Sequence, residues 1–270
     1  MLNVARSNVK WGPTKMRREI PLVVLVLFFQ TILLAQFATP VEANTTLNVL
    51  SQTGYLASAG QYLVVGETQN VGNQAVHMVN MTVSFYNASD NLIWIGHGGF
   101  MLDTINPGCK SPFMCLINSE ILASQVNHYS VEISSFEPTN PKPVGLRIVT
   151  NSSYIDEYGD MVINGTIKNT GTTTASMLTI WATYYDTHGN VTDVREEALT
   201  VSLYPNLTFP FEIKLYEPNR VPSITSYELT AESYEYASIP EFPSAALWLL
   251  VMVCALVAVA KKKNAHHVLA

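Results

Sequence analysis

Apolar and polar residues alternate along short runs between the two ends of this chain. Val79, Met81, Val83 and Phe85 interleave with Asn80, Thr82, Ser84 and Tyr86. A period of two places the first set on one face of a strand and the second on the other, so the first is expected inside and the second wet. Leu178, Ile180, Ala182 and Tyr184 repeat the pattern further on. Asn70-Val71-Gly72-Asn73 and Asn169-Thr170-Gly171-Thr172 read as turns in which glycine takes a positive φ. Asp90-Asn91 and Gly189-Asn190 read as hairpin turns leading into Leu92–Ile95 and Val191–Val194.

These runs recur with a period near 99 residues. Val64 to Gly72 aligns with Ile163 to Gly171, and Val83 to Asn91 aligns with Ala182 to Asn190. Pro107 and Ser111-Pro112-Phe113 match Pro205 and Phe209-Pro210-Phe211 after a one-residue slip. Tyr129 to Ile133 matches Ser226 to Leu229. Such a repeat argues for two domains of one fold. About seven short strands in roughly 90 residues predict an all-β chain of two tandem immunoglobulin-like antiparallel β-sandwiches, with a small barrel as the competing solution. The domains are expected at 44–137 and 144–234, joined by a proline-rich linker at 138–143.

The ends point to a compartment. Met16-Arg17-Arg18 and the apolar run Pro21 to Leu34 read as a secretory signal within residues 1–43, with translation starting at Met1 or Met16. Residues 244–260 carry no charge, and Lys261-Lys262-Lys263 follow them. This predicts one transmembrane helix, a juxtamembrane stalk at 235–243 and a cytoplasmic tail at 261–270. The expected location is therefore the cell membrane, single-pass, with residues 44–243 extracellular. Seven Asn-x-Ser/Thr triplets, at Asn44, Asn80, Asn87, Asn151, Asn164, Asn190 and Asn206, fit a glycosylated exterior.

Composition narrows the chemistry. Asp and Glu outnumber Lys and Arg by 21 to 15, and most basic residues lie at the ends, so no basic groove for nucleic acid is available. In an oxidising exterior Cys109 and Cys115 are expected to form a local disulfide. Asp156, Glu157 and Asp160 offer oxygen atoms to calcium, but the spacing fits a solvated turn better, and no metal or other cofactor is expected. His97, in Gly96-His97-Gly98-Gly99, fits a strand-end bend. Trp94, Trp181 and Tyr185 would mark carbohydrate contact if they formed an open strip.

The two Val83–Asn91 and Ala182–Asn190 segments, with the preceding Gly66–Gly72 and Gly165–Gly171 turns, resemble the FxLYD-type extracellular β-sandwich domains. That family supplies no catalytic residues. Pro240-Glu241-Phe242 before the apolar segment is similar to the sorting tails of archaeal surface proteins, where this motif marks a processing site. The expected function is a non-enzymatic structural or interaction module of the cell envelope, with the membrane, other envelope proteins or glycans as partners. An extracellular carbohydrate or small-ligand binding subunit is the first alternative, and an enzyme with a site assembled on the sandwich is the second.

Overall fold

Residues 45–238 are described by a computed structural model. The expected signal at 1–43, Asn44, the Pro240-Glu241-Phe242 motif, the apolar segment 244–260 and the tail 261–270 lie outside them. The first repeat contains β1 (Leu47–Leu56), β2 (Tyr62–Asn70), β3 (Ala75–Tyr86), β4 (Leu92–Phe100), β5 (Thr104–Ile105), β6 (Lys110–Ile117) and β7 (His128–Thr139). The second contains β8 (Val144–Ile155), β9 (Met161–Asn169), β10 (Thr179–Tyr185), β11 (Val191–Ala198), β12 (Thr208–Leu215), β13 (Ser226–Glu232) and β14 (Ala237–Ser238).

The all-β expectation holds, but the tandem immunoglobulin-like sandwiches are not what forms. A sandwich keeps two sheets free of hydrogen bonds to each other. Here each repeat is one continuous seven-stranded sheet, a curled ring of strands, and one of the two is nearly closed into a barrel. The first runs β1-β2-β6-β4-β3, with β7 on the far side of β3. Its two halves are stitched where Gly99 and Phe100 of β4 pair with Met114 and Phe113 of β6. The second runs β12-β9-β8-β14-β13-β10-β11. There the stitch is β14, which pairs with β13 on one side and with β8 on the other. Closing a sheet on itself removes edges that would otherwise be left unpaired. With β1 matched to β8, β2 to β9, β6 to β12, β4 to β11, β3 to β10 and β7 to β13, the two rings share one cyclic order but break at different seams. The first is open between β7 and β1, the second between β11 and β12.

Backbone conformation repeats more faithfully than side chains do. Left-handed residues recur 99 positions apart at Gly60 and Gly159 (φ 80° and 85°), Met78 and Met177 (both 50°), and Asp90 and Gly189 (60° and 80°). After the one-residue slip they recur at Gly108 and Asn206 (76° and 64°). Asn70 and Asn169, both fully buried, end the second strand of each ring. The Asn70 side chain donates to Gln74 O and Ile105 O and accepts from Gly72 N. Asn169 donates to Thr173 O and Leu203 O and accepts from Gly171 N. Each amide thus ties three backbone groups from two loops, which satisfies both its own oxygen and its own nitrogen. Gly66 and Gly165 sit under the rings of Phe113 and Phe211, where any Cβ would collide.

Met81, Val83 and Phe85 are buried as their period predicts, and so are Leu178, Ile180, Ala182 and Tyr184. At about 1.5–3 kcal/mol for each large side chain, these rows supply much of the drive for closure. The hairpins also form. Asn87 and Asp186 each accept two backbone N–H groups of the adjoining turn.

Tyr236 locks the stitch of the second ring. Its ring packs over Gly145 and Gly171, and its Oη accepts from Thr172 N (3.0 Å) and Thr173 N (2.8 Å) beside Thr173 Oγ1. Hydrogen bonds from Thr173 and Thr172 favour the phenolate and bring its pKa down from 10.0 to about 8. A folded value below the unfolded one means this residue adds stability as pH climbs from about 8 towards 10, and that the gain is lost as pH falls back through about 8. A titration of tyrosinate absorbance is expected to show one early step near pH 8, absent in Tyr236→Phe.

Candidate ligand site at the junction of the two rings

Several strands bury both faces, because each ring packs its outer face on the other. Val65, on the outward side of β2, meets Val191 and Val194 of β11. Trp181, outward on β10, packs on Val76, Leu102 and Ile105 of the first ring. The aromatic strip considered from the sequence therefore does not form. Trp181 is 6% exposed, Tyr185 faces the first ring, and Trp94 packs against the first ring's core.

Four carboxylates are buried in this junction, and three of them are answered by both cations and donors. Glu67 on β2 accepts from Tyr185 Oη at 2.6 Å and lies 3.2 Å from Lys110 Nζ, which also reaches Glu228 on β13 at 2.9 Å. Asp193 on β11 accepts from Tyr55 Oη at 2.6 Å between Arg195 and Arg220, whose guanidinium lies 3.7 Å from the centre of the Tyr55 ring. Glu232 on β13 accepts from Asp103 N and Thr104 N of the first ring and pairs with Lys142 at 2.6 Å. Asn106 then grips both the N–H and the C=O of Lys142. The fourth, Glu217, accepts from the N–H and hydroxyl of Ser58 of the first ring.

Burial pushes the carboxyl pKa values of Glu67, Asp193 and Glu232 upward, against the pull of their partners. Burial works the other way on the Lys110 ammonium, but Glu228 and Glu67 outweigh it and hold its pKa above the usual lysine value. Desolvation and the neighbouring Glu67 keep the Tyr185 hydroxyl protonated, so it remains a donor.

Between the Lys110–Glu228 pair and Glu232 lies a cavity of about 180 Å³. Gln69, Leu102, Thr104 and Lys110 line it from the first ring, and Glu228, Thr230, Ala231 and Glu232 from the second. An apolar floor with a few converging polar groups, at an interface between two bodies, is the usual make-up of a small-ligand site.

The residues singled out in the sequence fall elsewhere. Cys109 and Cys115 are both free, which corrects the expected disulfide. Cys115 lies on β6 and Cys109 just before it, so extended chain sets them roughly 20 Å apart, far beyond the about 7 Å a bridge allows. Burial instead raises the Cys115 thiol to about 11. Between Asp156 and Asp160, where calcium was considered, Lys214 Nζ sits 2.6 and 3.2 Å from the two carboxylates. Exposed His97 lies on β4, where Gly96 and Gly98 make room for Cys115 and Met81. Among the triplet asparagines, Asn80, Asn151, Asn190 and Asn206 are exposed, while Asn87 and Asn164 are half-buried.

Sequence reasoning passed over Glu67, Lys110, Lys142, Asp193, Glu228 and Glu232. The signal was present in β2 and β10, where Val64-Val65 and Ile180 to Tyr184 read as apolar on both faces. A strand covered on both faces needs a second neighbour.

No family model and no curated protein matches the chain. Among solved structures it is similar to an exo-chitosanase of Amycolatopsis orientalis, at 14% identity over 71% of this chain and 26% of that one, with a TM-score of 0.27. It is also similar to β-glucuronidase 2 of Bacteroides uniformis (10% identity, 72% and 31% covered, TM-score 0.24). A third is a red sea bream transglutaminase (6%, 86% and 34%, TM-score 0.22). The chain spans about a quarter to a third of these chains. At such scores the likeness carries no argument about fold or chemistry.

Four expectations are corrected together. The FxLYD resemblance and the archaeal surface-protein reading find no matching family, and the shared motifs serve the ring turns instead. Among the described residues no helix is long and apolar enough to cross a membrane, so the single-pass location and the membrane as partner are not carried forward. The purely structural function rested on finding no chemical site, whereas the folded chain builds a charged cavity. The non-enzyme expectation rested on the absence of a motif, and the Glu67, Lys110, Tyr185 and Glu228 cluster comes from four separate strands that no motif could mark.

Removing Lys142 leaves Glu232 buried without its cation, which costs about 3 kcal/mol or more. Urea unfolding of Lys142→Met is expected to show that loss, with part of it recovered in the Lys142→Met, Glu232→Gln double variant.

Proposed function

We propose that this chain binds a small polar ligand, a carbohydrate by class, in the cavity where the two rings meet. The observation that carries this reading is the cavity wall itself. Gln69, Thr104 and Thr230 offer amide and hydroxyl groups, Lys110 and Glu228 offer charged hydrogen-bonding groups, and Leu102 and Ala231 supply an apolar surface. Hydroxyl-rich rings are matched by such a mixture, since each hydroxyl both donates and accepts while the ring carbons seek apolar contact. The volume suits one small ring, being below the about 300 Å³ at which drug-sized sites begin. Calorimetric titration with neutral, amino and acidic monosaccharides is expected to find one class that binds. Thr230→Phe, which fills the cavity, should weaken that binding at least about tenfold, equal to about 1.4 kcal/mol. Binding left intact in Thr230→Phe would remove the cavity as the site.

One observation favours chemistry at the same place. A single lysine holds two unlike carboxyls, Glu67 buried with its pKa raised and Glu228 half-buried at the cavity wall. Glycoside hydrolysis divides its work between two such unlike groups. Release of nitrophenol from aryl glycosides, lost in both Glu228→Gln and Glu67→Gln while both variants keep the parent's circular dichroism, is the expected outcome of this reading. No release from any aryl glycoside of the class that binds would leave binding alone.

A further inference from the structure

The open seam of the first ring is a receptor for an extended polypeptide segment. We infer this from the second ring, where the same seam is filled. There β13 and β8 are bridged by Ala237 and Ser238, which pair with Glu232 on one side and with Val144 and Leu146 on the other. In the first ring the matching strands are β7 and β1. Among the described residues β7 pairs only with β3, and β1 only with β2, so each presents a row of backbone N–H and C=O groups to the gap.

The side chains along this gap fit the same reading. Val131 and Ile133 on β7 are half-buried, where their counterparts Leu229 and Ala231 on β13 are fully covered. On β1, Val49 is 36% exposed, where its counterpart Ile148 on β8 packs against the core of the second ring. A strand laid into the gap would gain ladder hydrogen bonds from both edges and cover these apolar side chains, the strand-addition mode of peptide recognition. Charge selects among segments. The wet face of β7 carries Glu132 and Glu137, so the incoming strand is one with apolar residues at alternate positions and basic residues between them.

Hydrogen–deuterium exchange of the full chain tests this. The probe is a synthetic peptide with the sequence of residues 233–238 carrying Glu235→Lys. At a peptide concentration about ten times its dissociation constant, exchange over 47–56 and 128–139 is expected to slow about tenfold. A copy of the peptide methylated at alternate backbone nitrogens should lose the effect. Three results would overturn the inference: no slowing at either strand, slowing confined to the other seam at 191–198 and 208–215, or equal slowing by the methylated peptide. Slowing that grows with protein concentration alone would also overturn it, because the occupant would then be a second copy of this chain.

Discussion

The arrangement of the two rings depends on how buried negative charge is neutralised where they meet. Glu67, Asp193 and Glu232 would each be costly without partners, because a carboxylate leaving water loses several kcal/mol of hydration. Glu67 has Lys110 within its own ring and Asp193 has Arg195 and Arg220 within its own, but each of the three completes its set of donors only when both rings are in place. Glu67 takes its hydrogen bond from Tyr185 of the second ring, Asp193 takes its from Tyr55 of the first, and Glu232 is capped by the Asp103–Thr104 backbone of the first. The exchange runs in both directions, which fixes the relative placement of the rings more narrowly than the apolar contact of Val65 with Val191 and Val194 could. The cavity exists because these clusters hold the rings at that spacing.

Much of the fold was legible, and the reasons are local. A period of two over Val79 to Phe85 reports which face is inside, whatever the neighbours do. The hairpin turns at Asp90 and Gly189 announce left-handed backbone, whereas Gly72 and Gly171 of the Asn-x-Gly turns do not take the positive φ expected of them. The repeat at 99 residues survives in the dihedral angles even where the side chains differ. The sheet closure was not legible, because it depends on a two-residue strand, Ala237–Ser238, and on two backbone pairs between β4 and β6. Neither leaves a hydrophobic signature. The site was least visible of all. Its charged residues are spread from Glu67 to Glu232, and only the docking of two rings brings them together. The open strip considered for Trp94, Trp181 and Tyr185 failed for the same reason: an alternating strand tells which side faces its own core, and says nothing of what lies against the other side.

The rings also show two answers to one geometric demand. A curled sheet of this order can be joined at either of two seams, and each ring joins a different one. In the first, β4 reaches across to β6 and leaves the β7 side open. In the second, the chain continues past β13 far enough to lay β14 against β8, and β11 forms no ladder with β12. The path of the chain beyond the last full strand decides between them. After β7 it is taken at once into the Lys142 clamp, so no length remains to close its own ring.

Asn70 and Asn169 speak mostly to main-chain atoms, which every residue type except proline supplies in full. A duplicated unit held by such contacts keeps its shape while nearly every other position drifts, since a neighbour may change its side chain without withdrawing its carbonyl. The ancestry of the two halves is thus written in a few amide groups, and the remainder of each half was left at liberty to specialise.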